Sequence, residues 1–199
     1  MWLVIQKGGY LMYPIALCSI FALGIFLERL WTYIKVRQEF RTLAHQVEPL
    51  VAKERLDEAV ATCHNSPSPL AKVFLAALRV AGRSRDQIKA VVEETGRREA
   101  APLQRFLGLL GTIATISPLL GLLGTVLGMI RAFNVIASQG MGTPATLGGG
   151  ISEALVTTAA GMTVAIPVIL VPRYLPSRLD QLILSMEEYS LRLVRLLCE

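Results

Sequence analysis

One carboxylate stands apart in this sequence. Glu153 is the only acidic residue between Glu99 and Asp180, and the uncharged run 154–172 follows it directly. A carboxylate in hydrocarbon costs roughly 2.5–3.5 kcal/mol or more, so it faces a polar cavity, finds a partner or stays protonated. The chemistry that suits such a group is the handling of a proton or another ion. On a helix, the positions four, seven and eight residues further on are Thr157, Ala160 and Gly161, a face of small residues that fits an inward-facing position. The competing placement is the outer membrane interface, in ordinary water, because Glu153 lies near the start of its apolar run.

Other chemistry finds little support. Thr115 and Thr125 fall in a second apolar run, where a threonine either bonds back to its own helix or lines a polar path. His45 and His64 lie outside the apolar runs without ligand spacing, and Cys63-His64 is a bare adjacency at a helix end. No Gly-Lys-Ser phosphate loop occurs. An intramembrane aspartyl protease needs two membrane acids, and a rhomboid-like protease needs a membrane histidine; neither set is present. The expectation is therefore a protein that is not an enzyme, with no metal site and no cofactor. Three scattered cysteines, Cys18, Cys63 and Cys198, do not suit a disulfide scaffold.

The elements that position Glu153 follow from charge distribution. Of 199 residues, 53% are hydrophobic and only 18% are charged, against about 25% in ordinary soluble domains. Residues 8–27, 106–130, 132–152 and 154–172 carry no Asp, Glu, Lys or Arg. Runs of about 18 or more such residues read as transmembrane helices. The first span is placed from about Gly9 to Leu30, the second from Phe106 to Ile130, and the third from Ile151 to Val171. Tyr10, Tyr13, Trp31 and Tyr33 near the ends of the first span suit interfacial belts. The first run is too long for a signal-peptide core. Ser138 to Gly150 reads as a turn-rich linker that makes spans two and three an antiparallel hairpin.

Of 20 Lys and Arg, 14 lie between Arg29 and Arg105, four follow the third span, and Lys7 and Arg131 are isolated. Basic residues accumulate on the cytoplasmic side, so the N-terminus and the 132–150 loop are expected outside, and residues 31–105 and the tail inside. The net charge of +5 is thereby topological, and no nucleic-acid partner is expected.

Between spans one and two, residues 34–63 read as a helix continuing out of span one, broken at Ser66-Pro-Ser-Pro69. A short helix from Leu70 to Val80 follows. Ser84 with Gln87 forms a capping box, starting a helix that runs through Arg105 into span two, with Pro102 at most a kink. No separate globular domain is expected there. After Pro176-Ser177 the tail restarts, and Leu179, Leu182, Met186, Tyr189, Leu193 and Leu196 form a heptad seam that wants a partner helix from this chain or a neighbour. Span two carries Gly108, Gly111, Thr112, Thr115, Gly121, Gly124, Thr125 and Gly128 along one side, with Gly124 and Gly128 as a small-xxx-small pair for close helix packing. The expected organisation is all-α: 1–33, outer N-terminus and first transmembrane helix; 34–105, cytoplasmic helical region; 106–175, transmembrane hairpin; 176–199, amphipathic cytoplasmic helix.

Two stretches carry a resemblance. Gly121-Leu-Leu-Gly-Thr-Val-Leu-Gly-Met-Ile-Arg-Ala-Phe133 and Gly150-Ile-Ser-Glu-Ala-Leu-Val-Thr-Thr-Ala-Ala-Gly-Met-Thr-Val-Ala-Ile-Pro167 resemble the MotA/TolQ/ExbB proton-channel family, most closely its ExbB and TolQ branch, which has three spans. The resemblance implies an oligomeric, pentameric ring around a dimer of single-span ExbD- or TolR-like partners, whose membrane aspartate carries protons. It implies a subunit of the bacterial inner membrane that couples the proton motive force to work across the envelope, such as outer-membrane import, through a TonB- or TolA-like protein. A TolQ-like role in envelope integrity is the alternative within the family; a non-conducting membrane scaffold is the alternative outside it. The family's acid falls on Glu153, its third-span threonine on Thr158 and the threonine of Leu-Gly-Thr on Thr125. The helical-face reading prefers Thr157, which stays as second choice beside Thr158. Gly121, Gly124, Gly128 and Gly161 are the expected helix-packing positions.

Overall fold

The computed structural model describes residues 8–139 and 144–198. It is all-α: α1 Met12–Ala52, α2 Leu56–His64, α3 Pro69–Arg79, α4 Arg85–Ala100, a 3-10 turn Ala101–Gln104, α5 Leu107–Gln139 and α6 Pro144–Leu196. Three helical segments, within 12–52, 85–138 and 148–196, are long and apolar enough to cross a membrane, and only 17%, 33% and 28% of their most apolar windows are buried within the chain. A soluble fold would bury such surface. The rest needs lipid or other helices around it, and the chain is a multi-pass membrane protein.

Several boundaries differ from the sequence expectation. The helix leaving span one does not reach residue 63 but stops at Ala52. Arg55 N–H bonds the Leu50 carbonyl and Glu54 N–H bonds the Val51 carbonyl, both at 2.9 Å, with Glu54 at φ +58. That is a Schellman stop, which usually places glycine at the left-handed position. Because a glutamate occupies it, no glycine marks the end. Left-handed backbone costs a side-chain-bearing residue about 1–2 kcal/mol. Glu54→Gly is therefore expected to stabilise the folded chain by about 1 kcal/mol, read as a higher midpoint in detergent thermal unfolding; a lower midpoint would contradict the assignment.

The path from α4 into span two is also broken. The 3-10 turn contains Pro102, which lacks an N–H, Arg105 adopts φ −54 and ψ 140, and Phe106 sits at φ +67, so helix resumes only at Leu107. α4 begins where expected, with Ser84 extended at φ −62 and ψ 147, but the Ser84 side chain makes no capping hydrogen bond. Nor does the tail restart at Pro176: α6 is continuous from Pro144 to Leu196. The linker between spans is correspondingly shorter than 138–150, because α5 extends to Gln139 and α6 begins at Pro144. Lys7, Met141 and Glu199, which the sequence reading places in outer and inner segments, lie outside the described residues.

The chain divides into two compact units. One holds 1–27 and 106–174; the other holds 28–105 and 175–199. The second is therefore a helical unit in which the 34–105 region and the tail share one core. From α1 it takes Tyr33, Val36, Phe40, Leu43, Val47 and Val51, spaced by three and four residues as one helix stripe. Phe74 of α3 and Ile88 of α4 are both fully buried, and the tail adds Leu179, Leu182, Met186 and Leu193. The heptad seam is thus covered by this chain itself. The Tyr33 hydroxyl donates to the Leu103 carbonyl at 2.9 Å, satisfying one acceptor that the broken helix leaves open.

In the first unit, α5 and α6 form an antiparallel hairpin whose register is set by glycines. A Cβ on Gly128 would lie 2.8 Å from the Gly150 carbonyl oxygen, and one on Gly150 equally close to that of Gly128. Further along, a Cβ on Gly121 would lie 3.2 Å from Thr158 Cα, and one on Gly161 2.7 Å from the Ser117 carbonyl oxygen. At Gly128, Gly150 and Gly161 a side chain would force the backbones apart, while at Gly121 the fit is merely tight. Gly108 and Gly111, expected on the same side, have nothing within 4 Å; the close seam is confined to the half of α5 from Ser117 onward. Leu119, Leu122, Val126 and Phe133 of α5 and Leu155, Met162, Ile166 and Leu170 of α6 point away from the seam and are exposed.

Candidate functional site

The hairpin register brings the residue after span two beside the start of span three. Arg131 Nη1 donates to Glu153 Oε1 at 2.5 Å, with the two side chains 49% and 23% exposed respectively. Of the three ways a membrane carboxylate is tolerated, Glu153 takes the second: it has a charged partner. The guanidinium also lies 5.9 Å from the centroid of the Tyr10 ring, within cation–π range.

The segment before α1 closes the site. Gly9 adopts φ +68, and a Cβ built there would overlap the Glu153 carboxylate, lying 2.9 Å from its Cδ. Glycine suits the left-handed backbone, and a Cβ there would push the flexible end of the Glu153 side chain out of its place. The Thr157 hydroxyl donates to the Gly8 carbonyl at 2.8 Å and reaches the Glu153 carbonyl of its own helix at 2.7 Å. Thr157 is only 1% exposed. It ties the segment before α1 to α6, one turn from Glu153.

The threonines named with Glu153 are dispersed by this geometry. Thr158 donates across the hairpin to the Gly121 carbonyl at 3.0 Å, whereas Thr125 bonds back within α5 to the Leu122 carbonyl at 2.6 Å. Gly124 packs on Thr157, and Gly161 packs on Ser117 and Gly121. Thr157 is the threonine that shares the Glu153 cluster; Thr158 holds the seam. Sequence reasoning treated Arg131 only as the border of a span. The signal lies in the hairpin register and not in the sequence: Gly128 opposite Ala154 in an antiparallel hairpin sets Arg131 near Glu153.

Elsewhere, Cys63 is 1% exposed, and burial pushes its thiol up to about 11, which disfavours the thiolate that a ligand or nucleophile needs. Among the described residues no three His, Cys, Asp or Glu side chains converge as a metal site. A cleft of about 570 Å³ lined by Lys89, Glu93, Arg97 and Glu187 contains none of the candidate residues.

An all-α membrane hairpin, closed by glycines and carrying one paired acid at its edge, places the chain among multi-pass helical membrane proteins. The MotA/TolQ/ExbB proton channel family model matches residues 65–188, and the chain belongs to that family. It is 38% identical over 183 residues to the biopolymer transport protein ExbB-like 1 of Synechocystis sp., covering 88% of this chain and 70% of that protein. It is 37% identical over 170 residues to ExbB-like 3 of the same organism, covering 83% and 80%. The Tol-Pal system protein TolQ of Pseudomonas aeruginosa is 30% identical over 173 residues, covering 81% and 68%. Similarity thus extends to both ExbB-like and TolQ proteins.

Proposed function

We propose that this chain is the multi-span subunit of a proton-driven energy-coupling complex in a bacterial inner membrane. Five copies surround a dimer of single-span ExbD- or TolR-like partners, and a TonB- or TolA-like protein relays the work across the envelope. Residues 106–175 form the channel-lining hairpin, 34–105 and 176–199 lie in the cytoplasm, and 1–33 supply the outer N-terminus and first span. The observation that carries this reading is Glu153: a lone carboxylate, bordered by uncharged runs on both sides, held by a charged partner beside a glycine seam. A non-conducting scaffold accounts for the seam but gives the acid no task.

Protons descend their gradient between the ring and the partner helices. One charge crossing 100 mV releases about 2.3 kcal/mol, more than the roughly 0.5–1.5 kcal/mol net of one hydrogen bond. Each transfer therefore suffices to break one interfacial contact and let the ring step. Glu153, Thr158 and Thr125 contribute to that path, with Thr157 holding the acid's helix.

The test is proton flux into liposomes reconstituted with this chain and its single-span partner. Uptake that collapses an imposed gradient only when both are present supports the reading, and flux equal to empty liposomes sinks it. Orientation is checked separately. Reporter fusions at Ala52 and Met141 are expected on opposite sides, cytoplasmic and periplasmic, a topology that the 14 basic residues between Arg29 and Arg105 support. The same side for both would overturn the topology.

A further inference from the structure

The geometry points to Arg131 as the positioning residue for Glu153, with Gly9 and Tyr10 forming the cradle that fixes the pair. This rests on the proton-coupling role of Glu153 and assigns how that role is prepared. Three separate pieces of chain converge: the segment before α1, the α5 end at Arg131 and the α6 start at Glu153. Arg131 is the ion-pair partner of Glu153 at 2.5 Å. Tyr10 flanks the guanidinium at 5.9 Å, and left-handed Gly9 leaves the space the carboxylate fills. Thr157 then fastens the strand of chain bearing Gly9 through the Gly8 carbonyl.

The arrangement is built rather than incidental. An exposed arginine and glutamate on one helix would swing freely and contribute little. Here the acid packs against Gly9 and takes a directed donor from a planar guanidinium that the Tyr10 ring flanks in turn. Arg131 sits where the 25 uncharged residues 106–130 end, so its charge finds water on one side and Glu153 on the other. A carboxylate held in this way presents one orientation to the proton path and returns to it after each transfer.

The experiment compares Arg131→Gln, Arg131→Lys and the double variant Arg131→Gln/Glu153→Gln in the complex reconstituted with its partner. Arg131→Gln is expected to cut proton flux about tenfold, the loss associated with one charge-assisted hydrogen bond, while native mass spectrometry shows unchanged assembly. Arg131→Lys keeps a charge and a donor and recovers at least half of the flux. The double variant is no slower than Glu153→Gln alone, because both changes act on one pair. A second readout is independent of flux: the Glu153 carboxylate stretching band, isolated as the infrared difference between wild type and Glu153→Gln, shifts when Arg131 becomes glutamine. An unshifted band, wild-type flux in Arg131→Gln, or additive losses in the double variant would each overturn the assignment. If Glu153→Gln itself conducts normally, ionisation of the acid is dispensable and it only orders a polar path, so the infrared band alone judges the pair.

Discussion

Glu153→Ala is expected to abolish proton-driven work while leaving the helices assembled. The packing contacts of the hairpin run through Gly128, Gly150 and Ala154, then Gly124 with Thr157, then Gly161 with Ser117. Glu153 is not among them; its carboxylate points to Arg131 and Gly9. Truncation therefore removes one ion pair without opening the seam. Arg131 loses its partner, but with 49% of its side chain exposed it turns to water at small cost. Assembly measured by native mass spectrometry should match wild type. Proton flux should fall about a hundredfold or more, equivalent to a barrier raised by about 2.7 kcal/mol. Glu153→Gln divides the roles of the group. It preserves shape and hydrogen bonding but does not ionise, so retained flux would mean that Glu153 orders a polar path and the partner's aspartate alone carries protons. Full activity of Glu153→Ala in an assembled complex would place the residue at the outer interface without function.

How much of this was legible in the sequence depends on what kind of signal each feature leaves. Membrane spans announce themselves because the absence of charge over 106–130 and 154–172 has one physical meaning. Glu153 was conspicuous for the same reason. Helix ends were less readable: Glu54 and Phe106 occupy left-handed backbone at φ +58 and +67, where glycine is the usual marker, and neither residue type signals a stop. Prolines misled in both directions. Pro102 accompanies a genuine break, whereas Pro176 lies within continuous helix, and the difference lies in the backbone around each rather than in proline itself. Arg131 was invisible as a functional partner because its relation to Glu153, 22 residues away, exists only once the hairpin register is known. The same holds for Gly9; Thr157 was legible on the helical face of Glu153, but its bond to the Gly8 carbonyl, 149 residues away, was not. The heptad seam was readable as a seam, but not its owner. Leu179, Leu182 and Met186 are buried within this chain, so they are no evidence for association between copies.

The second large effect is expected at Gly161, and it separates close packing from mere small-residue composition. A Cβ on Gly161 would lie 2.7 Å from the Ser117 carbonyl oxygen and 3.0 Å from Gly121 Cα. Both are backbone atoms, so no rotamer change relieves the overlap and the two helices must separate. Overpacking of this kind costs about 1–3 kcal/mol. Separation also stretches the 3.0 Å hydrogen bond from Thr158 to the Gly121 carbonyl, adding to the loss. Gly161→Ala should therefore lower the thermal midpoint in detergent and weaken proton coupling together. Gly108 and Gly111 lie on the same helix with nothing within 4 Å. Alanine at either should be neutral or slightly stabilising, because glycine costs a helix about 1 kcal/mol relative to alanine. The comparison is internal: the same substitution, in the same membrane hairpin, differing only in what the new methyl group meets. Equal effects at Gly161 and Gly108 would show that the hairpin does not pack through the Ser117–Gly161 crossing. A loss confined to Gly161 would fix the register that brings Arg131 to Glu153, since the two crossings lie on one antiparallel ladder and cannot shift independently.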